Sequence, residues 1–379
     1  VDASTESLNQ IKPDLKWIVT AGFRAGTYAA RDRLLVHRVT DPAVVPPRPE
    51  SITREWLCGA LGQKVRDFEY LPVSSGTSER GRLLLDYAQG SKGPATVFVK
   101  SAATFKTRLT NSPVAEFEAT FYRDLRPDLG DAEVPQGIYS ATDPVTWRAI
   151  HLIEDLARDN PQIVFPDVST ILTRVQAENA VVLLARLHRT FAGRIDGRGL
   201  RTYRQWWEST LSIANVRAAM NRFAQSDLCP PSLSADDLWR AGLDSVAVHR
   251  MLPPTLLHGD PHLANWYLID DRAGLLDWQC VSAGHFSRDL AYAMTTLLTI
   301  DQRHEWEHDL LALYLQESGF ALRFGELVDH YRSQIVGALM MWAPTLFPPK
   351  GFPAMQPEAL ARELTGRIAT AMVDLETVE

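Results

Sequence analysis

Five residues that could do chemistry fall within one short stretch, LLHGDPHLANWYLIDDRAGLLDWQ, at positions 256–279: His258, Asp260, His262, Asn265 and Asp277. His258, Asp260 and His262 recur at every second position, so an extended backbone would turn all three side chains to one side, as metal ligands are turned. Asn265 and Asp277 have no part in such a cluster. Phosphoryl transfer from a nucleotide uses more of the set, because it asks for a carboxylate that orients the acceptor hydroxyl, oxygen ligands for Mg2+ and a cation on the phosphates. Asp260 followed by Asn265 lets a loop offer the carboxylate to the acceptor while the amide oxygen turns to a metal. Asp277, across a hairpin, supplies an anionic ligand. Hard oxygen ligands point to Mg2+ and not to zinc.

The cation should stand on a strand beneath a loop, and Lys100 ends the strand ATVFVK. The upstream loop SSGTSERG offers backbone N–H groups around Gly76 and Gly81 to phosphate oxygens. A lysine in such a place needs a carboxylate to hold it, and the following helix offers Glu116 and Glu118. At roughly 100° per residue, Val114, Phe117, Phe121 and Leu125 form one stripe; Glu118 lies about 50° from its centre and Glu116 about 150°. Glu118 is therefore expected on the core side and Glu116 in solvent.

A second metal pattern, HEWEH at 304–308, formally fits a zinc protease with Glu305 as base and Glu326 as a third ligand. The charged run DQRHEWEHD that contains it reads instead as a solvated helix face, since a buried zinc site needs apolar flanks and supporting hydrogen bonds. Neither a Gly-x-Ser-x-Gly elbow nor a Gly-x-x-x-x-Gly-Lys phosphate loop is present.

The elements that must position these residues change character along the chain. Residues 1–50 end in the proline-rich DPAVVPPRPE and read as a leader or wrapping segment. SITREWLCGALG predicts a short helix with Ser51 or Thr53 as N-cap and Gly62 as its stop. Between 68 and 104, FEYLPV, RLLLDYA and ATVFVK predict a β-meander. A helix is expected over about 113–126, with Ser112 as cap, Pro113 in its first turn and Gly130 near its stop. QGIYSA and WRAIHLIE predict two further strands joined at the Asp143-Pro144 turn. Beyond them nearly everything is helical: 170–191, several helices from 201 to 250, then 286–300, 302–318, 324–342 and 357–375. NWYLID, DRAG and LLDWQ form a small hairpin among these helices.

Composition bounds the function classes. The chain of 379 residues, 45% hydrophobic, is long enough for two domains or lobes. A formal net charge of −7 with no basic run argues against a nucleic-acid partner. Three widely spaced cysteines, Cys58, Cys229 and Cys280, build neither a disulfide framework nor a four-thiolate zinc site. Apolar runs such as DLAYAMTTLLTI fall short of the roughly 18 residues that a membrane span requires, and VDASTESLNQ lacks the basic-then-apolar order of a secretory signal. The expectation is a soluble, cytoplasmic protein with no membrane partner; its oligomeric state is not written in the sequence.

HGDPHLAN resembles the catalytic loop of the aminoglycoside phosphotransferase and choline kinase group of the protein-kinase-like superfamily, and LLDWQ resembles its metal-binding Asp segment. LIEDL at 152–156, LARLH and FYRDL are similar to the ecdysteroid-kinase-like branch. The resemblance covers about 51–300 and implies an α+β, two-lobed protein-kinase-like fold. A small antiparallel N-lobe with one main helix (51–154) would bind the nucleotide, and a larger helical C-lobe (155–379) would carry the catalytic loop. It implies Asp260 as catalytic base, Asn265 and Asp277 as Mg2+ ligands, and Lys100 on the α/β phosphates, paired with Glu118. It further implies backbone groups of Glu154, Asp155 and Leu156 against adenine, and Ser75, Gly76, Thr77 and Ser78 over the phosphates. His258 would be structural, and Asp289 in SRDLAY would brace the loop from a helix start, where its charge suits the helix dipole. His262 would be structural or close to substrate.

The function implied is ATP- and Mg2+-dependent transfer of the γ-phosphoryl group to a hydroxyl of a small molecule. Only eleven residues separate Asp277 from Asp289, too few for a long peptide-docking activation loop. Trp206, Trp207, Trp239, Trp306 and Trp342 either belong to the core or line a pocket for an apolar alcohol. A catalytically silent nucleotide-binding module and a metallohydrolase remain as rival classes.

Overall fold

Alternation of apolar and polar residues builds three antiparallel strands, β1 (Val65–Ser75), β2 (Glu79–Tyr87) and β3 (Thr96–Ser101). The computed structural model describes residues 15–35, 38–75, 78–210, 213–348 and 354–378. Two more strands, β4 (Gly137–Asp143) and β5 (Arg148–Glu154), complete a sheet in the order β1-β2-β3-β5-β4. Leu83, Leu85, Val97, Val99, Ile150 and Leu152 point from one face into a core that Trp56 and Leu57 close from the helix α2 (Arg54–Leu61). That helix is capped by Thr53, whose hydroxyl accepts the amide of Trp56, and ends at Gly62 in the left-handed region. Because strand side chains alternate, Val99 in the core places Lys100 on the opposite face, in register with Arg80 and His151.

Two expectations change here. The stretch read as a leader contains a 21-residue helix, α1 (Leu15–Leu35). Its buried Asp32 accepts from Arg148 Nη2 at 2.6 Å and from Arg108 Nη2 at 2.5 Å. The helix expected from residue 113 begins at Phe105 and runs to Thr120 as α3, so Pro113 lies inside it; Phe121–Leu125 continue as a π-helical turn and Arg126–Leu129 as a 3-10 turn. Proline placement is a local signal, whereas α3 begins where the chain leaves β3 and where Arg108 meets Asp32.

The chain divides into two compact units, one within 14–130 and 134–161, the other within 131–133 and 162–379. In the second unit, α4 (Arg174–Phe191) opens with a Thr173–Gln176 capping box and is followed by α5 (Tyr203–Thr210), α6 (Ile213–Ala224) and α7 (Ala235–Met251). Short strands β6 (Thr255–Leu257) and β9 (Ser282–Gly284) pair with each other, and β7 (Trp266–Ile269) and β8 (Arg272–Leu275) form the expected hairpin. Then come α8 (Ser287–Leu297), α9 (Ile300–Ser318), α10 (Phe324–Leu346) and α11 (Glu358–Asp374). Every residue of α8 is buried, which makes it the axis of this unit and lets its first turn reach the loop after β6. No helix among the described residues is long and apolar enough to cross a membrane.

The Asp32 cluster ties α1 to the sheet unit. Burial alone would raise the Asp32 pKa, but the hydrogen bonds and charges of Arg148 and Arg108 bring it below its ordinary value. The cluster therefore stabilises the fold above the unfolded carboxyl pKa, and that contribution is lost as pH falls through the lower folded value. Asp32→Asn is expected to cost about 3–5 kcal/mol at neutral pH, because it leaves two buried guanidinium groups short of a charge. Its stability should also fall less steeply on acidification than the parent's, as read by urea melts at neutral and acid pH.

Candidate active site

In the sheet unit, Lys100 Nζ lies 2.9 Å from the Glu118 carboxylate, with both side chains buried. Glu116 is exposed, so the helical stripe separated the two carboxylates correctly. Glu118 also lies 3.8 Å from His151 Nε2, and His151 Nδ1 meets Ser140 Oγ at 3.2 Å. A buried ion pair of this kind costs desolvation that is recovered only with good geometry.

Of the residues assigned to adenine, Asp155 is buried and turns its carboxylate onto the half-buried Arg82 of β2, with which it forms an ion pair. The Glu154 carboxylate accepts the amide of Gln136 at 3.0 Å. Leu156 opens a single helical turn, Leu156–Asp159. The side chains of Glu154 and Asp155 are thus committed within the unit, which leaves the backbone of 154–156 as the part that could meet a base. Ser75 ends β1, and Ser78 is buried, with its hydroxyl 3.3 Å from Arg80 Nε. Gly76 and Thr77 lie outside the described residues.

In the helical unit, the loop after β6 is held by Asp289. Its Oδ2 accepts the amide of His258 at 2.6 Å and its Oδ1 that of Gly259 at 3.0 Å. Burial favours the protonated form, but the His188 hydrogen bond and the nearby His258 and Arg288 lower its pKa below the ordinary value, so it stays an acceptor. His188 Nε2 stands 3.5 Å from Oδ2, and its Nδ1 is 2.7 Å from the Tyr314 hydroxyl. Asp289 thus accepts two successive loop amides, with His188 and Tyr314 behind it.

His258 is scaffolding in both ring nitrogens: Nε2 donates to the carbonyl of Leu276 at 2.8 Å and Nδ1 accepts from the amide of Asp260 at 3.2 Å. Its ring packs edge-on against Trp278, with centroids 4.6 Å apart. His262 caps the 3-10 turn Leu263–Asn265 through Nδ1 and packs against Trp342. Burial depresses both, His262 to about 4, so at neutral pH both are neutral.

Asp260 sits between these. Its Oδ1 accepts from the Tyr292 hydroxyl at 2.8 Å, while Asn265 Nδ2 donates to its carbonyl at 2.8 Å and approaches Oδ2 at 3.3 Å. Burial pushes its pKa up to about 7, against the opposing hydrogen bond from Tyr292. Because the amide nitrogen of Asn265 is spent on Asp260, Oδ1 is the atom left to take a cation. Asp277 follows β8 in the left-handed region, at φ 61°, a conformation that costs a non-glycine residue and that clusters at functional sites. An amide oxygen and a carboxylate are hard donors, a set that fits Mg2+.

The competing metal readings lose their ligands. His304 Nε2 is 2.7 Å from Asp374, and Glu326 is paired with Arg323. No cluster of three or more His, Cys, Asp or Glu side chains suited to a metal occurs among the described residues. Trp206, Trp207, Trp239 and Trp342 are core, and Trp306 is half-buried beneath Arg174.

Three participants were not singled out from sequence: His188, Tyr292 and Arg288. Tyr292 stands three residues after Asp289, on the same face of α8, and that spacing is the signal that would have found it. Gly259 has φ +84°, and a Cβ there would lie 2.3 Å from the Cys280 carbonyl oxygen. Gly259→Ala should therefore displace the loop from the segment after Asp277 and lower the melting temperature by several degrees or abolish folding, as circular dichroism would show.

A model of the phosphotransferase enzyme family matches residues 69–326, more than half of the chain. No curated protein sequence matches it. Among solved structures, a spectinomycin phosphotransferase in complex with ADP and spectinomycin is 14% identical, with a TM-score of 0.46 over 86% of this chain and 97% of its own. A macrolide 2'-phosphotransferase from Brachybacterium faecium is 16% identical, with a TM-score of 0.45 over 81% and 96%. A choline/ethanolamine kinase family protein from Mesorhizobium loti is 15% identical, with a TM-score of 0.43 over 80% and 88%. This α+β chain, with a Lys–Glu pair on its antiparallel sheet unit and an Asp–Asn loop in its helical unit, belongs to the phosphotransferase enzyme family.

Proposed function

We propose that the protein transfers the γ-phosphoryl group of ATP, with Mg2+, to a hydroxyl of a small molecule. The observation that carries this is the Asp260–Asn265 arrangement: one loop holds a carboxylate near neutrality beside an amide whose nitrogen is already committed. Asp260 would orient the acceptor hydroxyl and take its proton, work for which a pKa near the operating pH is suited. Asn265 Oδ1 and the Asp277 carboxylate would hold Mg2+, which when bound neutralises charge on the phosphates. Lys100, kept in place by Glu118, would meet the α/β phosphates. The backbone at Glu154–Leu156 would meet adenine, and Ser75 to Ser78 the phosphates.

A small acceptor is favoured over a protein because the eleven residues between Asp277 and Asp289 are taken up by the 3-10 turn Trp278–Cys280 and by β9. They leave no long docking loop. The narrower likeness to the ecdysteroid-kinase-like branch rests on the sequence motifs alone. A cytoplasmic site of action belongs to the same reading, since ATP is its donor and all three cysteines are free thiols.

Asp260→Asn should lower kcat by at least about 100-fold on any alcohol that the parent phosphorylates. The base works only when ionised, so kcat/KM should rise with pH through a midpoint near the Asp260 pKa of about 7. A rate independent of pH across that region would contradict the role. ATP with Mg2+ should raise the parent's melting temperature, and Asp277→Ala should remove the Mg2+-dependent part. Absence of any such stabilisation in the parent would overturn the proposal, and stabilisation without turnover on a broad alcohol panel would favour a silent binding module.

A further inference from the structure

A base carboxylate on a loop has to be fixed about its own side-chain bonds before it can orient an acceptor, because small misplacements of a reacting group cost large factors in rate. At Asp260 the loop's own side chains meet the carboxylate only at longer range, His262 Nε2 standing 3.6 Å from Oδ2. Asn265 reaches Oδ2 only at 3.3 Å, and its shorter bond, 2.8 Å, goes to the Asp260 backbone carbonyl. The short contact to the carboxylate comes from outside the loop, from the Tyr292 hydroxyl at 2.8 Å on Oδ1. With a carboxylate as its partner, that hydroxyl donates, and such charge-assisted bonds are the stronger kind.

Tyr292 is in turn held from behind. The Arg288 guanidinium carbon lies 4.4 Å from the Tyr292 ring centroid, and Arg288 Nε donates to the Tyr203 hydroxyl at 2.6 Å. Arg288 is fully buried, and its two terminal nitrogens have no hydrogen-bond partner among the described residues. A buried cation so poorly paired is costly for stability alone. Arg288 and Tyr292 are one helical turn apart on the same buried helix, which lets the guanidinium rest on the ring.

We propose that Tyr292 is a positioning residue that fixes the Asp260 carboxylate for acceptor activation, and that Arg288, stacked on the ring, holds Tyr292 in that place. This rests on the phosphotransferase reading given above. It differs from a purely electrostatic role in sign: losing a hydrogen-bond donor makes a carboxylate the stronger base, which would raise the rate, whereas losing its orientation lowers it.

The test uses the full chain, with MgATP as donor and water as acceptor, and follows ATP hydrolysis together with the MgATP-induced rise in melting temperature. Tyr292→Phe keeps the ring and removes only the hydroxyl. It is expected to lower kcat about ten-fold, the scale of one charge-assisted hydrogen bond, with KM for MgATP and the thermal shift unchanged. Arg288→Met should lower kcat less, and the double variant should be no slower than Tyr292→Phe, the non-additivity expected of residues acting in series. Parent-level or faster hydrolysis by folded Tyr292→Phe, with Asp260→Asn inactive, would overturn the positioning role and leave the phosphotransferase reading standing. Loss of the thermal shift in Tyr292→Phe would also overturn it, by making the residue structural. A parent that MgATP does not stabilise would remove the phosphotransferase reading itself, and the inference with it.

Discussion

The two amide hydrogen bonds accepted by Asp289 are the constraint on which the helical unit's site depends. A loop that must present Asp260 and Asn265 in fixed relation has backbone N–H groups of its own to satisfy. Here two of them are taken by one buried carboxylate from the most deeply buried helix of the unit. His188, backed by Tyr314, helps keep that carboxylate ionised despite its burial. Gly259 then lets the loop pass against the Cys280 carbonyl, closer than any side chain would permit. Loop, hairpin and α8 are thereby joined into one rigid support.

Within that support the protonation states sort themselves by burial. The histidines are neutral; His258 spends both ring nitrogens on backbone groups, while His262 spends Nδ1 on a cap and holds Nε2 3.6 Å from Asp260 Oδ2. The same burial acts in the opposite sense on Asp260, raising its pKa into the range of a general base. One environment therefore moves the histidines and the aspartate in opposite directions, each toward its uncharged form. In the sheet unit the corresponding economy is the Lys100–Glu118 pair, which keeps an ammonium in a buried place by matching it with a single carboxylate.

Much of this was legible in the sequence because its signals are local. Strand alternation located β2, β3 and β5, and with them the face on which Lys100 stands. Helical spacing separated Glu118 from Glu116, and Thr53 and Gly62 marked both ends of α2. What was missed depends on contacts between distant segments. The start of α3 and the existence of α1 follow from Asp32 meeting Arg108 and Arg148, more than seventy positions away. Tyr292 and Arg288 look like ordinary helix residues until α8 is known to be buried on all sides. The tryptophans read ambiguously for the same reason, since composition does not say which of them face the core.

Family membership gives phosphotransferase chemistry; the proposal adds to it a divalent cation on Asn265 and Asp277 and an acceptor proton taken by Asp260. The most direct measurement is a crystal structure of the protein with Mg2+ and a non-hydrolysable ATP analogue. The account predicts a cation ligated by Asn265 Oδ1 and the Asp277 carboxylate, with Asp260 left off the metal and still bonded to Tyr292. A cation held by Asp260 or by a histidine, with Asn265 and Asp277 unengaged, would contradict it.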